Sequence, residues 1–172
     1  PLSAGKSVQV QKHMAHHLLA DTPRDWLARV RSVFLLRDPA LVIRSYTRVV
    51  AAPSPADLGA PQLSELFARE RARTGRLPAV IDSSDLLRDP RGVLGVLCER
   101  LELPFHEAQL AWEAGPRAFD GVWARHWYGN VLRSTGFEPL VETDCEVSAE
   151  HAALHAECER HYRALWQHRL HP

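Results

Sequence analysis

An α/β fold, a parallel sheet with helices on its faces, is what this sequence predicts, on three observations. "VFLL" (33–36) is an unbroken apolar run of strand length, the pattern of a strand inside a parallel sheet. Short runs of this kind alternate with helical patterns of crossover length. And "LLRDP" occurs twice, at 35–39 and 86–90, each time ahead of a helical pattern. Aspartate is a favoured N-cap and proline fits the first helical position, so each Asp-Pro pair marks a helix start.

The elements follow in order. "VQVQK" (8–12) alternates apolar and polar residues and predicts a short strand. "ADTPRDWLARV" (20–30) predicts a helix with Asp21 or Thr22 as cap and Pro23 just inside. "SVFLLR" (32–37) is the strongest strand, and "PALVIRSYTRVVAA" (39–52) a helix ended by the Pro53–Pro55 linker. "PQLSELFARERARTG" (61–75) is amphipathic and stops at Gly75, a C-cap signal. "LPAVIDS" (77–83) predicts a third strand, Ser83, Ser84 and Asp85 a polar turn, and "PRGVLGVLCERL" (90–101) a helix behind Asp89. "WARHWYGNVLRS" (123–134) reads as a helix, and residues 146–172 as a C-terminal helix. The whole of 1–172 predicts a single domain, since this length gives one core and no second. Three strands are few for such a sheet, so further sheet is expected ahead of residue 8.

Composition removes several function classes. Hydrophobic residues make up 45% and charged residues 24%, a globular balance. The net charge is zero, so no basic field points to nucleic acid or to an anionic membrane, and any anion site is local. No apolar stretch reaches membrane-spanning length and no leader pattern is present, which predicts a cytoplasmic location. Cys98, Cys145 and Cys158 are odd in number and lack framework spacing, so they read as free thiols. Lys6 and Lys12 are the only lysines among many arginines and alanines, a composition expected of a bacterial, GC-rich coding sequence.

The arginines of the two "LLRDP" copies differ. Arg88 follows a polar turn and is expected in solvent. Arg37 terminates the apolar strand and so lies at the carboxyl edge of the sheet, where open α/β folds bind ligands. A buried arginine needs an anion. Arg37, the helix start at Pro39, and the pair Ser45–Tyr46 together resemble the 3′-phosphate-binding segment of sulfotransferases that use 3′-phosphoadenosine 5′-phosphosulfate (PAPS). "LPAVIDSSDLLRDPRGVLGVLCERLELPF" and "WEAGPRAFDGVWARHWYGNVLRSTGF" extend the likeness to a bacterial sulfotransferase-like branch, over about residues 8–137.

The resemblance implies a three-layer sheet of the P-loop-NTPase type, PAPS as donor, a small-molecule hydroxyl or amine as acceptor, and no metal, nucleic-acid or membrane partner. It implies that Arg37 and Ser45 hold the donor's 3′-phosphate; the plainer reading pairs Arg37 with Asp38 and leaves Ser45 in water. The family's glycine-containing loop for the 5′-phosphosulfate is not visible, and the amino-terminal strand, loop and helix are expected to be missing. "AGKS" (4–7) ends like a phosphate loop but has no room for its first glycine and no strand before it.

Sulfuryl transfer needs a base for the acceptor and a cation over the bridging oxygen. In cytosolic sulfotransferases a strand ends in Lys-x-His; here "QKHMAHHL" keeps Lys12 and has Met14 at the histidine's place. His16, about one helical turn beyond Lys12, is the candidate base; His13 and His17 are its neighbours, and a surface histidine cluster is the plain alternative. Trp123 and Trp127 share a helical face, for the core or for an acceptor pocket. Arg133, with Ser134, Thr135 and Gly136, is by analogy a second contact to the donor phosphates. His151, His155 and Cys158 share one face of the last helix, with no fourth ligand assignable. "VETDCE" (141–146) reads as a solvated acidic loop. The rivals are another phosphate-loop transferase such as a small-molecule kinase, and a non-catalytic binding module.

Overall fold

The computed structural model describes residues 5, 7–117, 120–122, 128–141 and 145–172. Two strands, β1 (Val33–Leu36) and β2 (Ala79–Asp82), pair in parallel, with Val33 opposite Ala79 and Leu36 opposite Asp82. The helices are α1 (Pro39–Tyr46), α2 (Pro55–Leu58), α3 (Ala60–Thr74), α4 (Ser83–Arg88), α5 (Pro90–Arg100), α6 (Gly129–Arg133) and α7 (Ala152–Trp166). This is the mixed α/β architecture that the alternating pattern requires. The path from β1 to β2 runs through α1, α2 and α3, as a parallel pair demands.

Both Asp-Pro starts are capped as expected. Asp38 Oδ1 accepts from the Ala40 amide at 2.7 Å, and Asp89 Oδ1 accepts from Gly92 at 2.8 Å. Ser54 and Asp57 close a capping box on α2. Gly59 (φ +78°) and Gly75 (φ +66°) take the left-handed conformation at either end of α3.

Side chains of alternate strand positions share a face, so Phe34, Leu36, Val80 and Asp82 point one way. Onto that face pack Leu66 and Phe67 of α3, Leu165 of α7, and Leu18. Phe34 and Phe67 meet edge to face with centroids 5.5 Å apart. Each such side chain contributes about 1.5–3 kcal/mol by leaving water. On the opposite face Ala79 and Ile81 are buried and α5 lies against β2, but Val33 and Leu35 remain 37% and 52% exposed. The four-residue apolar run predicted cover on both faces of β1; among the described residues only one face is covered.

Other expectations are corrected. Residues 8–12 form no strand: they are exposed, irregular chain, because none of the described residues pairs with their backbone. In 20–30 the regular part is a 3-10 turn, Asp25–Arg29, preceded by Arg24 with no side-chain cap from Asp21 or Thr22. Arg24 instead gathers the carbonyls of Leu18, Ala20 and Thr22, fixing that stretch as a loop. The helix from Pro39 ends at Tyr46 rather than 52. The segment 83–88 is a helix, not a polar turn, because Asp82 caps it. The last helix begins with a 3-10 turn at Ala149–His151 and runs to Trp166, shorter than 146–172. Of 123–134 the described part is α6; Trp123 and Trp127 lie outside the described residues, as do 142–144 of the acidic segment and Lys6 of "AGKS".

Candidate functional site

The carboxyl edge of the sheet is built from two strand ends lying side by side. Leu36 is in register with Asp82, so Arg37 leaves β1 next to the point where Asp82 closes β2. Each strand end feeds a helix capped by an aspartate: Asp38 for α1, and Asp82 for α4, through Oδ1 to the amides of Ser84 (2.8 Å) and Asp85 (3.4 Å). Asp82 is only 2% exposed. Its second oxygen accepts from the Tyr162 hydroxyl at 2.9 Å, which brings α7 under both helix starts. Burial, then the Asp82 bond, then the charges of Asp82 and Asp38, push the Tyr162 phenol far above its ordinary range. Beside it Arg169 Nε donates to Asp85 Oδ2 at 2.7 Å, with its guanidinium over the Trp166 ring.

Arg37 is exposed, not buried, and makes no hydrogen bond or ion pair among the described residues. Its charge is therefore available at the head of α1. The pairing with Asp38 does not form; that carboxylate serves the Ala40 amide. Ser45 is exposed too, about 9 Å along the axis from the first turn of α1. It lies seven residues beyond Asp38, hence on the same helix face. The edge thus offers an arginine fork just ahead of α1 and a hydroxyl further along the same helix.

Lys12 and His16 are differently placed from the expectation. Lys12 is in exposed irregular chain, and His16 in a 3-10 turn, Ala15–His17, so no common α-helix relates them. That turn packs against α2 and α3, while α2 also touches α1, so α2 stands between the histidines and the Ser45 helix. His16 is half-buried and its ring meets His17 edge to face at 4.3 Å. Burial, and next the neighbouring His17, hold its pKa below the ordinary 6.5, against a smaller opposite pull from Asp57. His13 lies against Trp26.

Arg133 sits on α6 and donates to Asn130 at 2.6 Å. Ser134 is engaged by Trp112 Nε1 (3.0 Å) and the Val131 carbonyl. This stretch is tied to 111–115 by the Ala111–Gly136 bridge and by the amides of Trp112 and Gly115 donating to the Thr135 and Leu132 carbonyls. Among the described residues no cluster of three His, Cys, Asp or Glu is placed to hold a metal ion. All three cysteines are free.

The structure adds Asp82, Tyr162 and Arg169 to the residues singled out from sequence. Asp82 had a signal: Asp-Ser-Ser-Asp after an apolar run is a helix-start pattern. Tyr162 had none, since its partner is 80 residues away.

A family model described as "Sulfotransferase domain" matches residues 2–165. The chain belongs to that family. A curated relative, branched-chain-amino-acid aminotransferase-like protein 1 of Arabidopsis thaliana, is 38% identical over 135 residues, 78% of this chain and 24% of its own length. Protein 2 of the same name and organism is 31% identical over 166 residues, 96% of this chain and 29% of its own. The chain thus spans under a third of the curated relatives it matches. No solved structure matches. Among the described residues of this sulfotransferase-family chain no helix is long and apolar enough to cross a membrane.

Proposed function

We propose that this chain takes part in sulfuryl transfer from PAPS to a hydroxyl or amine of a small molecule. The observation that carries the reading is Arg37, a charged fork with no partner among the described residues, at the sheet's carboxyl edge and heading the helix that bears Ser45. Arg37 would meet the donor's 3′-phosphate bidentately, and Ser45 would add a hydroxyl. The acceptor oxygen or nitrogen attacks sulfur as the sulfur–oxygen bond to the 5′-phosphate breaks, leaving adenosine 3′,5′-bisphosphate. The acceptor's proton passes to His16, whose lowered pKa, held down by burial, favours the proton-accepting form. Lys12 is assigned to the charge on the bridging oxygen and Arg133 to the donor phosphates; both are exposed.

A kinase-type reading fares worse. It needs a free aspartate at a strand end for magnesium, and Asp82 has its oxygens committed to two amides and a phenol. A non-catalytic binding module remains the contrast to test.

Calorimetry with adenosine 3′,5′-bisphosphate tests the assignment. Arg37→Ala should weaken binding by about 1.5–3 kcal/mol, the worth of a charge-assisted bond, and Ser45→Ala by less. Equal affinity in parent and Arg37→Ala would remove the basis of the reading. Binding without transfer in the parent, under acceptors of several classes, would favour the module.

A further inference from the structure

Two arginines at the end of α1 stand unused beside Ser45. Arg44, Ser45 and Arg48 are all exposed, and none has a side-chain hydrogen bond or ion pair among the described residues. The hydroxyl two positions on behaves differently: Thr47 Oγ1 donates back to the Ile43 carbonyl at 2.9 Å, the ordinary use of a helical hydroxyl. Thr47 also keeps right-handed helical angles (φ −65°, ψ −13°), and the Val50 amide donates to the Tyr46 carbonyl at 3.0 Å. The coil therefore runs one turn past α1, and Arg48 stands about one turn beyond Arg44 and Ser45.

Residues three and four apart on a helix have Cβ atoms about 5–6 Å from one another. That spacing is within an arginine's reach, and helical side chains lean toward the N-terminus, which carries Arg48 back toward Ser45. Arg44 and Arg48, one turn apart and alike in charge, repel each other unless an anion joins them. The helix dipole favours cations in a last turn, which accounts for their charge but not for the unused hydroxyl beside them. A phosphate monoester carries about 1.5–2 negative charges at neutral pH. Arg37 alone matches one of them.

We propose that Arg44 and Arg48 complete the donor's 3′-phosphate site, meeting that group around Ser45 while Arg37 meets it from the head of the helix. The inference rests on the sulfuryl-transfer reading and deepens it. With three cations and a hydroxyl given to one phosphate, the 3′-phosphate is the feature by which the chain selects its nucleotide. Arg44 and Arg48 are then specificity-determining residues, not solvated surface charges.

Calorimetry with adenosine 3′,5′-bisphosphate and with adenosine 5′-monophosphate, which lacks only the 3′-phosphate, tests this on the whole chain. Arg44→Gln and Arg48→Gln should each weaken the bisphosphate at least fivefold and leave the monophosphate within twofold. Arg48→Lys, which keeps the charge and loses the fork, should fall between the parent and Arg48→Gln. Arg71→Gln removes another exposed arginine, on α3, and should change neither affinity; it measures the effect of lost charge alone. A variant that keeps the parent's bisphosphate affinity removes its arginine from the site. A purely helix-capping role would lower the melting temperature of both Gln variants with the ratio of the two affinities unchanged, and that result overturns the proposal. So does an equal loss for the two nucleotides. Binding weakened by Arg37→Ala, but by neither Arg44→Gln nor Arg48→Gln, removes only this inference. The reverse pattern keeps a phosphate site at Arg44 and Arg48 and removes the transfer reading built on Arg37. A parent that binds neither nucleotide ends both.

Discussion

Tyr162 donates its hydroxyl to Asp82 across 2.9 Å, joining the middle of α7 to the last residue of β2. That one bond ties the C-terminal helix to the edge where Arg37 emerges, and it has an alkaline signature. The phenol's folded-state pKa is raised, so its contribution is complete below the unfolded value near 10 and is lost as pH rises beyond it. Tyr162→Phe should cost about 1–3 kcal/mol at neutral pH by leaving a buried carboxylate oxygen unpaired. It should also remove part of the fall in stability above pH 10. Urea titrations of both proteins at neutral and alkaline pH check this; parallel pH curves would refute it.

The two Asp-Pro helix starts should behave alike in stability and differently in binding. Asp38→Ala and Asp89→Ala should each cost about 1 kcal/mol through a lost cap. Arg88→Ala should leave bisphosphate affinity unchanged, since its guanidinium is turned to Asp85 on α4. Impaired binding in Arg88→Ala, with no stability loss in Asp89→Ala, would reverse the roles given to the two copies.

Gly59 is held by its surroundings as much as by its torsion. At φ +78° an added Cβ would stand 3.0 Å from the His16 nitrogen and 3.2 Å from the Ala15 Cβ. Gly59→Ala should therefore destabilise by more than the ~1 kcal/mol expected of a left-handed glycine alone. It should also move the His16 and His17 ring resonances. A variant as stable as the parent with unmoved resonances would show that the turn does not rest on α2–α3.

His16 gives an acid-side test. Its folded pKa is lowered, so the unfolded chain binds the proton more readily, and stability should fall as pH drops through and below 6.5. An NMR titration should place His16 below an ordinary imidazole. His16→Gln should flatten the acid limb of the stability curve. A midpoint at or above the ordinary value would contradict the burial described for it.

The parts of this fold that were legible in sequence are those set by neighbours along the chain. Asp38, Pro39, Asp89, Pro90 and Gly75 act on their own helix ends, so their roles follow from spacing alone. The strand at 33–36 was legible because an unbroken apolar run of strand length is a signal in itself. The segment at 8–12 was not, because alternation marks a strand only where a partner backbone exists. The exposure of Arg37 was also hidden: whether a strand-end arginine is buried depends on what covers the sheet, and here Val33 and Leu35 on the same strand are open. Arg24 is an ordinary residue in sequence, and only the packing of loop on helix brings it to the carbonyls of Leu18, Ala20 and Thr22 and to Glu65.

Beyond α7 the Leu170 amide donates to the Val80 carbonyl at 2.8 Å, occupying the edge of β2. During synthesis this has a consequence for timing. Residues 33–36 and 79–82 emerge early, yet Tyr162, Leu165 and Leu170, which cover and edge them, arrive some eighty residues later. Contacts so distant along the chain are slow to close. Until they form, the nascent sheet lacks Leu165 in its core and the bond at its edge. Its exposure to other strands is then governed by the pace of translation, and a pause placed after residue 82 should matter more to yield than one placed after 170.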